Sequence, residues 1–138
     1  MPMNPANVNW LGALVAALST FLIGGVWYSP LLFARPWQAA TGLSDEDLKR
    51  GGQARIFGGA FVLALVSAVN LAFFLAGGKS DLAWGVTAGA LAGVGWVTTS
   101  LGVTYLFERR PLKLFLIDAG FHTVTFMVMG AILGVWKK

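Results

Sequence analysis

Four long apolar segments constrain the fold of this chain more than any other feature. They cover residues 10–28, 56–76, 82–107 and 114–136. A helix needs about 20 residues to cross the hydrocarbon core of a bilayer, which is roughly 30 Å thick, at about 1.5 Å per residue. Each segment is close to that length or longer. The sequence therefore predicts an all-α protein, an integral membrane bundle of four transmembrane helices in which residues 1–138 form a single domain.

Composition and charge support this class. The chain is 57% hydrophobic and only 12% charged, which leaves too few charged residues to cover the surface of a soluble domain. Every lysine and arginine lies outside the four segments, so the net charge of +4 favours membrane topology over a nucleic-acid surface. The expected surroundings are membrane lipid, with no nucleic-acid partner. Cysteine is absent, which excludes disulfides, thiolate metal sites and cysteine nucleophiles.

The segment between the first two spans, residues 29–55, is predicted to lie at the membrane interface. Its first part mixes apolar and polar residues, so it forms either an amphipathic helix or an ordinary loop. Ser44 and Asp47 have the spacing of a capping box, which predicts the start of a helix. That helix either continues into the second span or breaks at Gly51–Gly52. After the second span, Lys79-Ser80-Asp81 predicts a tight turn.

The only ionisable residues well inside an apolar segment are Asp118 and His122. They are four residues apart, so a helix places them on one face, which Thr125 extends. An ionisable residue within a span is by default a functional-site hypothesis. The structural alternative is a salt bridge between Asp118 and an arginine at a neighbouring helix end. The candidate arginines are Arg55, Arg109 and Arg110.

Polar residues recur at a similar depth in three of the spans, namely Ser19 and Thr20 in the first, Thr99 and Ser100 in the third, and His122 in the fourth. Because polar groups are costly in lipid, this coincidence suggests a vestibule in the cytoplasmic half of the bundle, with Tyr28 and Arg55 at its rim. The alternative is that each hydroxyl bonds to a carbonyl of its own helix. The residues predicted for a substrate or proton pathway are Asp118, His122, Ser100, Thr104, Thr99, Thr20 and Arg55, together with Ser19.

Small residues recur at four-residue intervals in the third and fourth spans. This spacing lines them on one helix face, where another backbone can approach closely, either within the chain or in a second copy. The predicted packing residues are Gly85, Gly89, Gly93, Gly130 and Gly134. In the second span, Asn70 predicts an interhelical hydrogen bond. The strings Gly25-Val26-Trp27-Tyr28 and Gly102-Val103-Thr104-Tyr105 end the first and third spans. Either a duplicated hairpin or chance explains their similarity.

No motif for catalysis or cofactor binding is present in the sequence. One histidine and one aspartate are too few to hold a metal, and neither a serine elbow nor a phosphate-binding loop is visible. We therefore expect no catalytic residues, no metal and no cofactor, and we expect that the protein is not an enzyme.

The N-terminal third of the chain resembles a known family. The residues that carry the resemblance are Asn9-Trp10, Gly25-Val26-Trp27-Tyr28-Ser29-Pro30, Phe33, Trp37 and Gly42-Leu43-Ser44. This pattern is similar to the small four-span bacterial proteins of domain-of-unknown-function family 1761, and the order and length of the apolar segments extend the likeness over nearly the whole chain. The resemblance implies a multi-pass protein of the bacterial inner membrane, and it transfers no residue role.

Basic residues predict the orientation in that membrane. Seven of them lie in residues 29–55 and in the connection between the third and fourth spans, against three on the opposite side. The positive-inside rule then places both termini outside and the loop 29–55 in the cytoplasm.

Two function classes follow from these features. The first is a non-catalytic membrane component that associates with itself, a partner or lipid. The second is a small oligomeric transporter or channel-like protein that uses the Asp118–His122 face for a proton or small solute. Transport would require self-association, since four short spans do not easily enclose a pathway, and self-association is also one form of the first class. A homo-oligomer is therefore expected, and the sequence identifies no protein partner.

Overall fold

The computed structural model describes residues 5–50, 52–76 and 81–136. Over these ranges the chain consists of helices joined by turns and contains no strand. A short 3-10 turn, Pro5–Asn7, precedes the first long helix. The α-helices of the described ranges are α1 (Trp10–Trp27), α2 (Ala34–Thr41), α3 (Asp45–Lys49), α4 (Gln53–Leu75), α5 (Leu82–Glu108) and α6 (Leu112–Val135).

Among the described residues, the helices α1, α4, α5 and α6 are long and apolar enough to cross a membrane. This confirms the predicted all-α, four-span class. Two of the helices begin before their apolar segments. The helix α4 begins at Gln53 and α6 at Leu112, because interfacial residues continue the helical hydrogen bonding past the hydrocarbon-facing part.

Local capping signals fix where the helices begin. The Asn9 side chain accepts a hydrogen bond from the Gly12 N–H at 2.8 Å, and its amide donates to the Trp136 carbonyl at 3.1 Å. One residue therefore caps α1 and joins it to the end of α6. The Asp81 side chain accepts from the Trp84 N–H at 2.8 Å and caps α5 in the same way.

The segment between α1 and α4 contains two short helices. The first part of this segment, residues 31–43, is predicted to be either a helix or a loop. It contains the helix α2. The capping box of Ser44 and Asp47 is present and begins α3. Gly52 has a φ of 83°, a left-handed conformation that favours glycine, so the chain breaks there before α4 starts. Gly51 and the predicted turn at Lys79-Ser80 lie outside the described residues.

The helix α6 is the centre of the bundle. It contacts α1, α4 and α5, and its most extensive contact is with the first half of α5. That contact is a backbone-to-backbone interface of glycines. A Cβ atom on Gly85 would overlap the Gly130 carbonyl oxygen, and a Cβ on Gly130 would overlap the Gly85 carbonyl oxygen. The predicted small-residue faces therefore meet each other inside one chain, with Gly89, Gly93 and Gly134 in the same interface.

The core lies toward the end of the bundle that carries the termini. There, small residues of α1 pack on the second half of α4, and Met129 and Leu133 of α6 complete the cluster. The first half of α4 is different, because every residue from 52 to 60 is exposed. The helix α5 contains one π-helical stretch, Gly93–Thr98, beyond which its contact with α6 is much reduced. At the loop 29–55 end, the long helices therefore pack less closely.

Candidate functional site

Asp118 lies in the second turn of α6, at the end of the bundle where α1 and α5 finish. Its exposed fraction is 9%, so the carboxylate is buried even though its helix begins only a short distance before it. An acidic side chain in this position needs hydrogen-bond donors from the protein, because the surrounding hydrocarbon offers none. The residues that donate hydrogen bonds to Asp118 therefore define the candidate site.

Two tyrosines supply them. The Tyr28 hydroxyl, from the residue that ends α1, donates to Asp118 Oδ1 at 2.7 Å. The Tyr105 hydroxyl, from the last turn of α5, donates to Asp118 Oδ2 at 2.5 Å. An ionised carboxylate accepts at both oxygens, so this arrangement satisfies it from two sides. The chain contains only these two tyrosines. We call Asp118, Tyr28 and Tyr105 the tyrosine–aspartate clamp.

Aromatic rings surround the clamp on the α1 side. The Tyr28 ring lies 5.2 Å from the Phe121 ring and 5.6 Å from the Trp37 ring, measured between centroids. Trp37 belongs to α2, so this short helix covers the clamp from the loop 29–55 end. The Trp27 indole N–H donates to the Ile117 carbonyl at 3.0 Å, next to Asp118 in the chain. The end of α1 is thus held against α6 by two adjacent aromatic residues.

The alternative of a salt bridge between Asp118 and an arginine is not observed among the described residues, where the carboxylate accepts hydrogen bonds from the two tyrosines instead. Arg110 instead lies over the Tyr105 ring, 5.7 Å from its centroid, and its guanidinium bonds to Glu108 at 2.7 Å. This hydrogen bond raises the pKa of the Arg110 guanidinium above its usual value. Arg109 ends α5 in a left-handed conformation, with a φ of 59°. Arg55 lies on the exposed first turn of α4, away from the clamp.

His122 lies one turn deeper than Asp118 on α6. Its ring is half-buried and packs against Phe121, with 5.2 Å between ring centroids. Among the described residues it has no side-chain hydrogen bond, and it lies four residues from Asp118 on the same helix. Thr125, on the same face, is buried with its hydroxyl unpaired within the described chain. The two polar groups that follow Asp118 on this face therefore have unused hydrogen-bonding capacity.

The hydroxyl residues predicted for the vestibule do not gather around Asp118. Thr99, Ser100 and Thr104 are exposed on the outer side of α5. The Thr99 hydroxyl bonds to the Gly95 carbonyl, and that of Thr104 to the Ser100 carbonyl. On α1, the hydroxyls of Ser19 and Thr20 bond to carbonyls three residues before them. The hydroxyls of Ser19, Thr20, Thr99 and Thr104 therefore follow the alternative of bonding within their own helix, because a carbonyl of the preceding turn lies within reach and accepts a second hydrogen bond.

A second feature is an open groove between α4 and α5. The two helices make little direct contact with each other, and Phe126 of α6 lines the space between them. The groove has a cavity volume of about 210 Å³, and the Phe74 and Trp96 rings, with centroids 6.0 Å apart, border it. Asn70 lies in the groove and makes no side-chain hydrogen bond within the described residues. The predicted interhelical bond of Asn70 is therefore absent from the single chain, because α4 and α5 diverge.

The chemistry open to these features is limited. Within the described residues there is no group of three or more histidine, aspartate or glutamate side chains placed to hold a metal ion. The clamp holds a carboxylate between two hydroxyl donors, and it joins three helix ends. The groove presents an amide able to donate and to accept a hydrogen bond.

Sequence reasoning identified Asp118 but missed its partners. Tyr28 was expected only at the rim, and Tyr105 was noticed only as part of the repeated Gly-Val-x-Tyr string. That repeat was the available signal, since it places one tyrosine at the equivalent end of each of two parallel helices. Their convergence on one carboxylate depends on how α6 passes between those ends.

One comparison with known proteins finds a match. The model of the family described as "Protein of unknown function (DUF1761)" matches residues 11–134. The chain belongs to the DUF1761 family. The match runs from the first turn of α1 to the last turn of α6, so it includes the clamp and the groove of this DUF1761 chain. No curated protein and no solved structure matches it.

Proposed function

We propose that this DUF1761 protein is a non-catalytic membrane component that functions by associating with itself or with another protein inside the bilayer. One observation carries the proposal. The α4 helix packs mainly over its second half and at Phe61, while residues 52–60 are exposed and its boundary with α5 is open beside the Phe74–Trp96 ring contact. A span with an exposed face of this kind presents it to other transmembrane helices.

The contacts elsewhere in the bundle support this role. The glycine faces of α5 and α6 are occupied by each other, so they hold the fold together and leave association to other surfaces. In the first half of α4, Gly58 and Gly59 have open space where a Cβ atom would lie. Close approach of a second backbone is possible there without displacing a side chain.

The clamp holds the helices beside the exposed part of α4 in place. Tyr28, Asp118 and Tyr105 join the ends of α1, α6 and α5, and the packing of α2 covers them. With these helices joined, α4 is the element left free on that side. The buried carboxylate has a sufficient role here as a bridge between helices, and that role requires no substrate.

The proposal is tested by measuring association in lipid. The purified protein is reconstituted in bilayer nanodiscs at several protein-to-lipid ratios, and copies per disc are counted by single-molecule photobleaching. Cross-linking in native membranes reports other protein partners. We expect stable oligomers or a reproducible partner. A protein that is monomeric at every ratio and cross-links to nothing in the native membrane would contradict the proposal.

A second candidate function is transport of a proton or small solute by an oligomer, with Asp118 and His122 in the pathway. The observation that favours it is that the side chain of His122, one helical turn from Asp118, has no hydrogen bond among the described residues. A histidine in this state is available to exchange a proton. Proteoliposomes loaded with a pH-sensitive dye would show a proton flux that Asp118→Asn and His122→Gln both abolish. Equal flux in protein-free vesicles would exclude this function.

A further inference from the structure

The most unusual polar group outside the clamp is the side chain of Asn70. It lies in the α4–α5 groove beside Ser67, and neither side chain has a hydrogen-bond partner within the described residues. Asn70 is also exposed at the bundle surface, unlike an asparagine that packs between helices of one chain. An amide in a hydrophobic environment is strongly destabilising unless both its donor and its acceptor are satisfied.

The depth of the groove in the membrane determines which groups can form hydrogen bonds with the Asn70 amide. Asn70 lies five residues before the end of α4, about 8 Å along the helix axis at 1.5 Å per residue. Phe126, in the same groove, lies nine residues before the end of α6, about 14 Å. Both positions are inside the hydrocarbon core, whose half-thickness is about 15 Å. Lipid headgroups therefore do not reach the amide, and acyl chains have no group that bonds to it.

A transmembrane helix with a polar residue at the same depth does provide such a group. A second copy of this chain, inserted in the same direction, brings its own Asn70 to the same depth. The carboxamide is both donor and acceptor, so two of them form reciprocal hydrogen bonds across a twofold axis. Asparagine in a membrane span commonly bonds between helices in this way.

We infer that the α4–α5 groove is the dimer interface of this protein, in which the Asn70 side chains of two copies bond to each other across a twofold axis parallel to the membrane normal. This inference rests on the proposed function, because it assigns a partner and a contact to the association proposed above. The open volume of the groove accepts side chains from the second copy around the central amides. The glycine faces are excluded from this interface, since each is already in contact with the other.

The chain has no cysteine, so single cysteines report the interface directly. Val66 borders the groove one turn from Asn70, whereas Leu18 is exposed on α1, which does not line it. In nanodiscs and in native membranes, we expect a short bifunctional thiol reagent to cross-link Val66→Cys into dimers and to leave Leu18→Cys monomeric. Equal cross-linking of the two variants, or none with Val66→Cys, would overturn the inference.

Substitution of Asn70 tests the hydrogen bond itself. Asn70→Leu should weaken dimerisation by about threefold to twentyfold, the range for hydrogen bonds between membrane helices, and Asn70→Gln should restore most of it. Because Asn70 has no hydrogen bond within the described chain, Asn70→Leu should keep the unfolding midpoint of the monomer, which confirms that the variant folds.

The two proposals fail in different ways. Stable association of the natural sequence that is unchanged by Asn70→Leu, with no cross-link at Val66→Cys, overturns the groove interface and leaves the associating function standing. A cross-link from Val66→Cys only to a different protein also overturns the self-pairing. A natural sequence that is monomeric and without partners overturns both.

Discussion

The tyrosine–aspartate clamp predicts a specific pattern of coupling between three side chains. Tyr105→Phe removes one hydroxyl and keeps the ring, so it deletes the bond to Asp118 with little change in packing. Tyr28→Phe does the same at the other oxygen. Asp118→Asn keeps the size of the side chain but removes the negative charge that strengthens both bonds. These substitutions form double-mutant cycles that isolate each bond.

The magnitudes follow from the geometry. Donor–acceptor distances of 2.7 and 2.5 Å are those of hydrogen bonds to a charged acceptor. Such bonds contribute about 1.5–3 kcal/mol in soluble proteins, and interhelical bonds in membranes average about 0.6 kcal/mol. We therefore expect each Tyr→Phe substitution to lower the free energy of unfolding by about 1–2 kcal/mol. The two together should lower it by more than their sum, because the buried carboxylate then has no donor.

The measurement is reversible unfolding in mixed micelles of a mild detergent and sodium dodecyl sulfate, followed by tryptophan fluorescence. In the Asp118→Asn background, Tyr105→Phe should lose most of its effect. Thr104→Val is the matched control, since its exposed hydroxyl bonds only to its own helix, and it should change stability by less than about 0.5 kcal/mol. If Tyr105→Phe has the same effect with Asp118 as with asparagine, the clamp does not exist.

Three further predictions follow from the packing, the capping box and the charge pattern. Gly85→Ala and Gly130→Ala should each lower the free energy of unfolding by about 1–3 kcal/mol, because the new methyl group meets a backbone carbonyl. Gly59→Ala, a matched control in open space within α4, should raise it by up to about 1 kcal/mol, and equal effects at the three positions would contradict the glycine interface. Hydrogen bonds from the Ser44 backbone N–H and, to a smaller extent, from its hydroxyl lower the pKa of Asp47. The contribution of this capping box to the stability of α3 is therefore complete above about pH 4.5, and it is lost as the pH falls through the lowered pKa. The protection factors of the α3 amides, which are exchange rates corrected for the intrinsic effect of pH, should fall over that acidic range in the natural protein, and Ser44→Ala should remove this pH dependence. Reporter fusions should place both termini outside the cytoplasm, and a cytoplasmic C-terminus would reverse the orientation inferred from the basic residues.

The sequence by itself determined the membrane class and the four spans, because hydrocarbon thickness converts directly into a length of apolar chain. It also determined local events that depend on neighbouring residues. The capping box of Ser44 and Asp47, which begins α3, is an example. These features need only the chain within a few residues of the signal, so no tertiary contact changes them.

The tertiary structure decided which polar groups meet. Asp118 was recognisable from the sequence, but nothing local indicated that Tyr28 and Tyr105, separated from it by 90 and 13 residues, would bond to it in place of an arginine. The regular glycine spacing showed a face for close packing, and only the fold showed that the two glycine faces contact each other. Asn70 is the opposite case. Its position within a span predicts an interhelical hydrogen bond, but α4 and α5 make little direct contact, and the side chain has no partner within the described residues. In each case the residue type specifies the kind of contact that it requires, such as a hydrogen-bond donor or a close backbone. The packing of the helices around α6 determines which group provides that contact.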